Sequence, residues 1–401
     1  MIPESEIKKL SIKTNSRIVL LVMDGLGGLP HTDGKTELEA ARIPNLDNLV
    51  RRGILGATIP VSYGITPGSG PAHFSLFGYD PLRYEIGRGV LEALGIGLEL
   101  SDKDLAARGN FATMDKGGVI IDRRAGRISD EENKRICELL QEKIVKIEDT
   151  EVLIKPGKEH RFVILFRGES LEEINDTDPQ EVGKRARKAE VEGLGQEKSA
   201  RIVNEFVRLS NEVLKNEPRA NTVLLRGICK CPSIPSMSEL FKLKPAAIAT
   251  YPMYRGLARL VGMEVLDSGL TIEDEFRTLK KNFSEYDFFY LHIKKTDSYG
   301  EDGNRENKIK IIEEVDSFIP RVLDLAPDVL VITGDHSTPA LLKGHSWHPN
   351  PFLLYSKFTR VDGLKRFSER ECVKGGLGIF SATEAMPLML ANALKLKKWG
   401  A

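Results

Sequence analysis

The chain has no excess of charge of either sign. Lysine and arginine total 58, and aspartate and glutamate total 58, so no net field draws it to nucleic acid or to an anionic membrane. It has no apolar run approaching the ~20 residues that a membrane-spanning helix needs. The stretch before Arg17 is polar and charged, without the pattern of a signal peptide. A cytoplasmic location is therefore the default expectation. Cysteine is scarce, with only Cys137, Cys229, Cys231 and Cys372. Cys229 and Cys231 stand too close for the usual paired zinc spacing, and no second pair or nearby histidine completes a site, so reduced thiols are expected. Internal repeats and low-complexity tracts are absent as well. Gly95-Ile96-Gly97 lacks the third glycine of a dinucleotide fingerprint.

What is present is a set of short apolar runs. At 401 residues the chain is too long for one simple core and predicts two or three domains. The runs are continuous rather than alternating, which marks strands buried on both faces of a parallel sheet. Ile18-Val19-Leu20-Leu21-Val22-Met23 leads straight into Asp24-Gly25. The run from Phe288 to Ile293 is followed by Asp297, and Val329-Leu330-Val331-Ile332 ends in Gly334-Asp335-His336. Helical spacing fills the intervals, as from Lys308 to Leu325. Ligands of open parallel sheets bind beyond the carboxyl ends of the strands. Here three strands each deliver an acid to that edge.

The middle of the chain has a different texture. It contains Asp122-Arg123-Arg124-Ala125-Gly126-Arg127, a strand-like Arg161 to Phe166, and a long polar stretch from Gly168 to Gln196 that reads as an exposed loop or lid. A helix is expected from Lys198 to Lys215, and the sheet pattern resumes at Ala246-Ala247-Ile248-Ala249. The fold class expected is α/β, a mostly parallel sheet flanked by helices. Residues 1–105 and 245–401 would form it, with a smaller α+β domain, residues 106–244, inserted in sequence.

The segment Thr66-Pro67-Gly68-Ser69-Gly70-Pro71-Ala72-His73 isolates one hydroxyl among glycines and prolines. Such a segment is either a tight turn or the seat of a nucleophile. Its company favours the nucleophile. Asp24, Asp297, Glu301, Asp335, His336, His345 and His348 supply more carboxylate and imidazole than one divalent ion needs. They suit two ions clamping both oxygens of an in-line phosphoryl displacement. A divalent ion also lowers the pKa of a serine hydroxyl and neutralises a transferring phosphoryl group. Taken singly, Asp24 could cap a helix and Asp335 could satisfy turn amides, and His73 reads as structural. Arginine adds a further theme: Arg123, Arg124 and Arg127 are clustered, and Arg161, Arg226 and Arg255 each lie beside glycine or a short strand. Guanidinium forks bind carboxylate and phosphate bidentately.

Met23-Asp24-Gly25, the Ser69 segment, Gly78-Tyr79-Asp80-Pro81, Arg108-Gly109-Asn110-Phe111-Ala112-Thr113, the Asp122 to Arg127 run, Tyr254-Arg255-Gly256 and Gly334-Asp335-His336-Ser337-Thr338-Pro339 complete the pattern. With these motifs, over nearly all of its length, the chain resembles the cofactor-independent phosphoglycerate mutases of the archaeal type, in the alkaline phosphatase superfamily. The resemblance implies an alkaline-phosphatase-like domain holding two divalent ions and an inserted domain that binds glycerate. Position by position, it implies that Asp24, Ser69, Asp335 and His336 hold one ion, and Asp297 and His345 the other. Ser69 would take the phosphoryl group from 3-phosphoglycerate, and the enclosed glycerate would turn and take it back on its 2-hydroxyl, without 2,3-bisphosphoglycerate. Asp122 would be general acid/base, while Asn110, Arg123, Arg127, Arg226 and Arg255 would hold substrate.

The chain departs from that family at one place. The second metal is expected to be held by Asp-x-x-x-His, and here Asp297-Ser298-Tyr299-Gly300 leads to Glu301. A carboxylate there shifts preference toward hard ions, manganese or magnesium, and away from zinc; His348 is the other candidate, with Glu301 preferred. The expected activity is an isomerase step of glycolysis and gluconeogenesis on a small phosphoglycerate. A metal-dependent phosphatase of the same superfamily is the alternative, and the arginine-bearing insert favours the mutase. Assembly into a homo-oligomer is left open.

Overall fold

The computed structural model describes residues 2–84, 86–101, 103–190 and 197–400. Its strands are β1 (Ile18–Met23), β2 (Ile54–Ile59), β3 (Asp104–Met114), β4 (Ile120–Asp122), β5 (Lys146–Ile147), β6 (Thr150–Pro156), β7 (Arg161–Arg167), β8 (Thr222–Lys230), β9 (Pro245–Ile248), β10 (Glu264–Val265), β11 (Phe288–Ile293), β12 (Val329–Thr333), β13 (Asn350–Ser356) and β14 (Ile379–Ser381). The chain divides into two compact units, Met1–Glu85 with Ile234–Ala401, and Ile86–Ser233. Both boundaries fall earlier than the 105/106 and 244/245 expected from sequence. The helix Arg88–Gly95 belongs to the second unit, where it packs on β3 and β8. A Cβ on Gly89 would lie 2.5 Å from the carbonyl oxygen of Ala106, so only glycine lets that helix approach the strand so closely. Residues from Ile234 onward turn to the first unit: Tyr79 Oη donates to Pro235 O at 2.8 Å, and Met237 N donates to Val261 O at 2.9 Å.

The first unit holds an eight-stranded sheet in the order β10-β9-β11-β1-β12-β13-β2-β14. Only β13 runs against the other seven. A parallel return from β12 would need a crossover, usually a helix, but residues 334–349 between β12 and β13 contain none. β1, β11 and β12 are buried along their whole length, as continuous apolar runs require when both faces are covered. β1 lies between its two neighbours in parallel register, Met23 opposite Ile293 and Val22 opposite Thr333. The segments leaving these three central strands therefore start at one level. That register is what builds the site.

The second unit is a six-stranded sheet, β4-β3-β7-β6-β5 with β8 on the other side of β3, and its ladders are all antiparallel. The helices Asp130–Lys143 and Lys198–Leu214 pack on the sheet and on each other, with Phe166 edge-on to Phe206 in the core. The stretch expected as an exposed loop or lid is partly core. Leu171, Ile174 and Ala189 are buried in that same cluster, and Thr177 N donates to Leu225 O at 3.0 Å. These three apolar residues, sparse among charges, turn inward, while Val182 stays exposed; residues 191–196 of that expectation lie outside the described residues. Among the described residues no helix is long and apolar enough to cross a membrane.

Candidate active site

Asp24 is the first residue beyond β1. Asp297 lies on the helix Lys295–Glu301 after β11, and Asp335 and His336 follow β12. Gly25 sits in the left-handed region at φ +63°, where a Cβ would come within 2.5 Å of Thr338 Oγ1 and 2.8 Å of Asp297 Oδ1. Only glycine lets the chain turn there without displacing the acid. Ser69 is the first residue of the helix Ser69–Leu76, reached from β2 through residues 60–68.

Three oxygens surround one nitrogen at the centre. His336 Nε2 is 3.1 Å from Ser69 Oγ, 3.2 Å from Asp335 Oδ2 and 3.3 Å from Asp24 Oδ1. A neutral or protonated ring nitrogen has one lone pair or one hydrogen, and cannot serve three oxygens. Asp24 Oδ1 and Asp335 Oδ2 are buried and accept no hydrogen bond, an arrangement that costs ~1–3 kcal/mol or more for each such group. Two carboxylates, a hydroxyl and an imidazole converging in this way form a donor set for a divalent cation, and the residues present fit one. A second group adjoins it. Ligand atoms of Asp297, His336 and His345 lie within 4.8 Å of one another, as do those of Asp24, Asp335 and His336. His345 stacks on His336 with ring centroids 3.7 Å apart. Its Nδ1 is held 2.9 Å from Pro67 O, leaving Nε2 3.6 Å from Asp297 Oδ1.

Glu301 and His348 fall outside both groups. Glu301 comes within 3.9 Å of His345 Nε2 and is half exposed, with its carboxyl raised by burial and by Asp297. His348 instead pairs through Nδ1 with Ser346 Oγ at 3.1 Å and stacks on Trp347. Of the two, Glu301 is the one that reaches a member of the groups.

The site also contains Lys294 and His292, which the sequence reading passed over, and His73, which it read as structural. Lys294 Nζ is 2.5 Å from Asp297 Oδ2, 3.2 Å from Asp24 Oδ2 and 3.2 Å from Tyr254 Oη. Burial would lower this ammonium, but Asp24 and Asp297 outweigh burial and raise it. In return, burial would raise Asp24, while Lys294, the hydrogen bond from His292 and the nearby His336 hold it well below the usual carboxylate range. His292 Nε2 lies 3.2 Å from Asp24 Oδ2 and its ring stacks on Tyr254 at 3.8 Å. His73 is fully buried, with Nδ1 2.8 Å from Ser69 O and 3.1 Å from Asp335 Oδ2. It thus touches both the serine and a ligand acid. A signal for His292 was available, since it is the one imidazole in the otherwise largely apolar run Phe288–Ile293. Lys294, directly between that run and Asp297, was the other.

Most expected substrate residues lie in Ile86–Ser233, and Arg255 lies in the first unit, paired with Asp267 at 3.0 Å. Arg123 forks onto Asp178, Nε to Oδ1 at 3.0 Å and Nη2 to Oδ2 at 2.6 Å. Arg226 Nε is 3.8 Å from the same carboxylate, and its Nη2 donates to Gln180 Oε1 at 3.0 Å. Arg123 and Arg226 are therefore brought together. Arg127 is not with them: it is more than half exposed, and among the described residues its guanidinium pairs with Glu159, at 4.0 Å. Asp122 accepts from Arg124 N at 2.7 Å and Gly126 N at 2.6 Å, which ties down a turn whose Ala125, Gly126 and Arg127 all have positive φ. Asn110 Oδ1 is buried without a hydrogen bond.

Comparison with known proteins agrees with this geometry. Residues 50–220 match the family model described as 2,3-bisphosphoglycerate-independent phosphoglycerate mutase. A curated relative from Thermotoga maritima, named "Probable 2,3-bisphosphoglycerate-independent phosphoglycerate mutase", is 57% identical over 396 residues, covering 98% of each chain. Among solved structures, a Pyrococcus horikoshii protein is 32% identical with a TM-score of 0.83, covering 97% of this chain and 100% of that one. A cofactor-independent phosphoglycerate mutase from Thermoplasma acidophilum is 31% identical with a TM-score of 0.75, covering 94% of this chain and 100% of that one. By relatedness over its full length, with buried acids, histidines and a serine at one sheet edge, the chain belongs to the family of 2,3-bisphosphoglycerate-independent phosphoglycerate mutases.

Proposed function

We propose that the chain interconverts 3-phosphoglycerate and 2-phosphoglycerate through phosphoserine at Ser69, without 2,3-bisphosphoglycerate. The observation that carries this reading is the convergence of Ser69 Oγ, Asp24 Oδ1 and Asp335 Oδ2 on His336 Nε2, with both carboxylate oxygens buried and unserved. Family membership supplies the substrate class. Asp24, Ser69, Asp335 and His336 would hold one divalent ion, and Asp297 and His345, with Glu301 as the nearest further carboxylate, a second. Manganese or magnesium suits such an oxygen-rich set. Bound there, the ions supply Lewis acidity, which strengthens the serine as a nucleophile and offsets charge on the phosphoryl oxygens.

The chain's own groups do the rest. Ser69 Oγ bonds to phosphorus as the bond to the substrate's 3-oxygen breaks, and that oxygen takes up a proton. Glycerate turns, and its 2-oxygen bonds to phosphorus as the bond to Oγ breaks, releasing its proton. The proton lost from Ser69 in the first step is regained in the second, so nothing is consumed. Lys294, kept protonated by Asp24 and Asp297, places a positive charge beside the transfer. Asp122 is the acid/base for the glycerate hydroxyls: each of its oxygens accepts one turn amide and retains a free lone pair. Arg123 and Arg226, with Arg127, Asn110 and Arg255, hold carboxylate and phosphate. The fork that Arg123 makes on Asp178 has the bidentate form a substrate carboxylate would take.

The test is incubation of the manganese-loaded chain with 3-phosphoglycerate and no bisphosphoglycerate, following both 2-phosphoglycerate and free phosphate. Isomer without stoichiometric phosphate is expected. Phosphate release without isomer would make the chain a phosphatase.

A further inference from the structure

We propose that Lys308 is a built-in cation that fastens two ligand-bearing loops to each other and thereby sets the affinity of the metal site. The inference rests on the reading of Asp24, Asp297, Asp335 and His336 as metal ligands. Lys308 lies on the helix Arg305–Leu323 and is 0% exposed. Its Nζ donates to Gly25 O at 2.8 Å, Gly27 O at 3.1 Å and Thr338 O at 2.8 Å. An ammonium has three hydrogens, and all three go to main-chain carbonyls. Gly25 and Gly27 belong to the loop that begins with Asp24, and Thr338 to the loop that begins with Asp335 and His336. One side chain from a separate helix thus bridges both loops.

A buried ammonium is costly unless its surroundings compensate it. Three carbonyl dipoles do so here, and two carboxylates, one buried and one half-buried, brace the same backbone. Glu37 Oε1 accepts from Ala340 N at 2.8 Å, while Glu369 accepts from Gly28 N at 3.0 Å and from Thr36 Oγ1 at 2.8 Å. Direct bonds between the loops add to this, since Thr338 N donates to Gly27 O at 3.1 Å and Gly25 N to Asp335 Oδ1 at 3.0 Å. A cage of carbonyl oxygens with carboxylates nearby is an environment suited to a small monovalent cation, and Lys308 supplies that charge on a tether. It touches no reacting atom, so it is a positioning residue.

The experiment is calorimetric titration of the metal-stripped full chain with Mn2+, without substrate. If the wild-type chain binds no ion, the metal reading itself fails. If it binds, Lys308→Ala should bind about 10- to 100-fold more weakly, the usual cost of losing an outer-shell partner. Methylammonium or potassium chloride should recover part of that loss, where tetramethylammonium chloride at equal ionic strength does not. Unchanged affinity in Lys308→Ala, or a loss that no small cation recovers, overturns the proposal. Should that variant not fold, hydrogen exchange in the wild-type chain decides. The amides of Gly25, Gly27 and Thr338 should open as one unit, and rates differing by more than about tenfold between the loops would overturn it.

Discussion

Buried acids in Ile86–Ser233 are matched by arginine, whereas those at the strand ends of the other unit are left partly unmatched. Asp178 and Asp104, both inaccessible to solvent, are each held by a guanidinium fork, from Arg123 and from Arg167. Asp24 and Asp335 are equally inaccessible, yet each keeps one oxygen without a hydrogen bond. A matched acid organises its own unit. The unmatched oxygens of Asp24 and Asp335 are ones that a cation can serve, whereas Asp297 is already matched by Thr338 and Lys294.

Substitutions in the two units should therefore fail differently. Ser69→Ala should lose activity at least about a thousandfold, since nothing replaces a nucleophile, with folding intact by circular dichroism. Asp335→Asn should lose manganese binding in calorimetry without a large change in melting temperature of the metal-free chain. Asp178→Asn should do the reverse, leaving manganese binding unchanged and lowering the melting temperature. Loss of manganese binding in Asp178→Asn would break the comparison.

A smaller effect is expected where an arginine both braces and binds. Arg123→Lys keeps the charge but not the planar fork. A charge-assisted hydrogen bond contributes about 1.5–3 kcal/mol, and about 1.4 kcal/mol is tenfold. The ratio kcat/KM should thus fall about ten- to hundredfold, with manganese affinity unchanged. Equal activity would leave Arg123 with only its partnership to Asp178. Gly25→Ala should be smaller again, costing ~1–3 kcal/mol of stability for its left-handed backbone, because the new methyl meets Thr338 and Asp297. A melting temperature within error of wild type would mean that the loop yields without cost.

Much of the first unit was legible because its physics is local. Ile18–Met23 and Phe288–Ile293 are strands with the ends read from sequence, since continuous burial needs continuous apolar residues. The acids beyond them converge because parallel register aligns strand ends. The reversal of β13 was not legible, because an apolar run carries no direction. The boundary at Ile86 was missed because Gly89 against Ala106 is a contact across sequence, not a composition shift. Among the arginines, Arg123 and Arg127 are close in sequence, yet one forks a buried acid and the other points outward. Left-handed backbone at Ala125, Gly126 and Arg127 turns them apart.

The last prediction concerns the pH dependence of stability, and it has opposite sign in the two units. Glu275, on the helix Ile272–Asn282, is 3% exposed. Burial pushes its carboxyl up to about 9, against an ordinary value of 4.5, with only partial relief from Lys295. Its contribution to stability is full below the unfolded value and is lost as pH rises through the folded one. Asp178 is the opposite case: burial would raise it, but Arg123 and the amide of Gln180 hold it below 3.8. Its contribution is present above the ordinary value and is lost as pH falls through the lowered one. Alkali should thus loosen the first unit around Glu275, and acid should loosen the second around Asp178. Glu275→Gln should flatten the fall in melting temperature between about pH 5 and about pH 9 while leaving the acid limb alone. Asp178→Asn should flatten only the acid limb. An alkaline slope unchanged in Glu275→Gln would mean that water reaches this carboxylate as the pH rises.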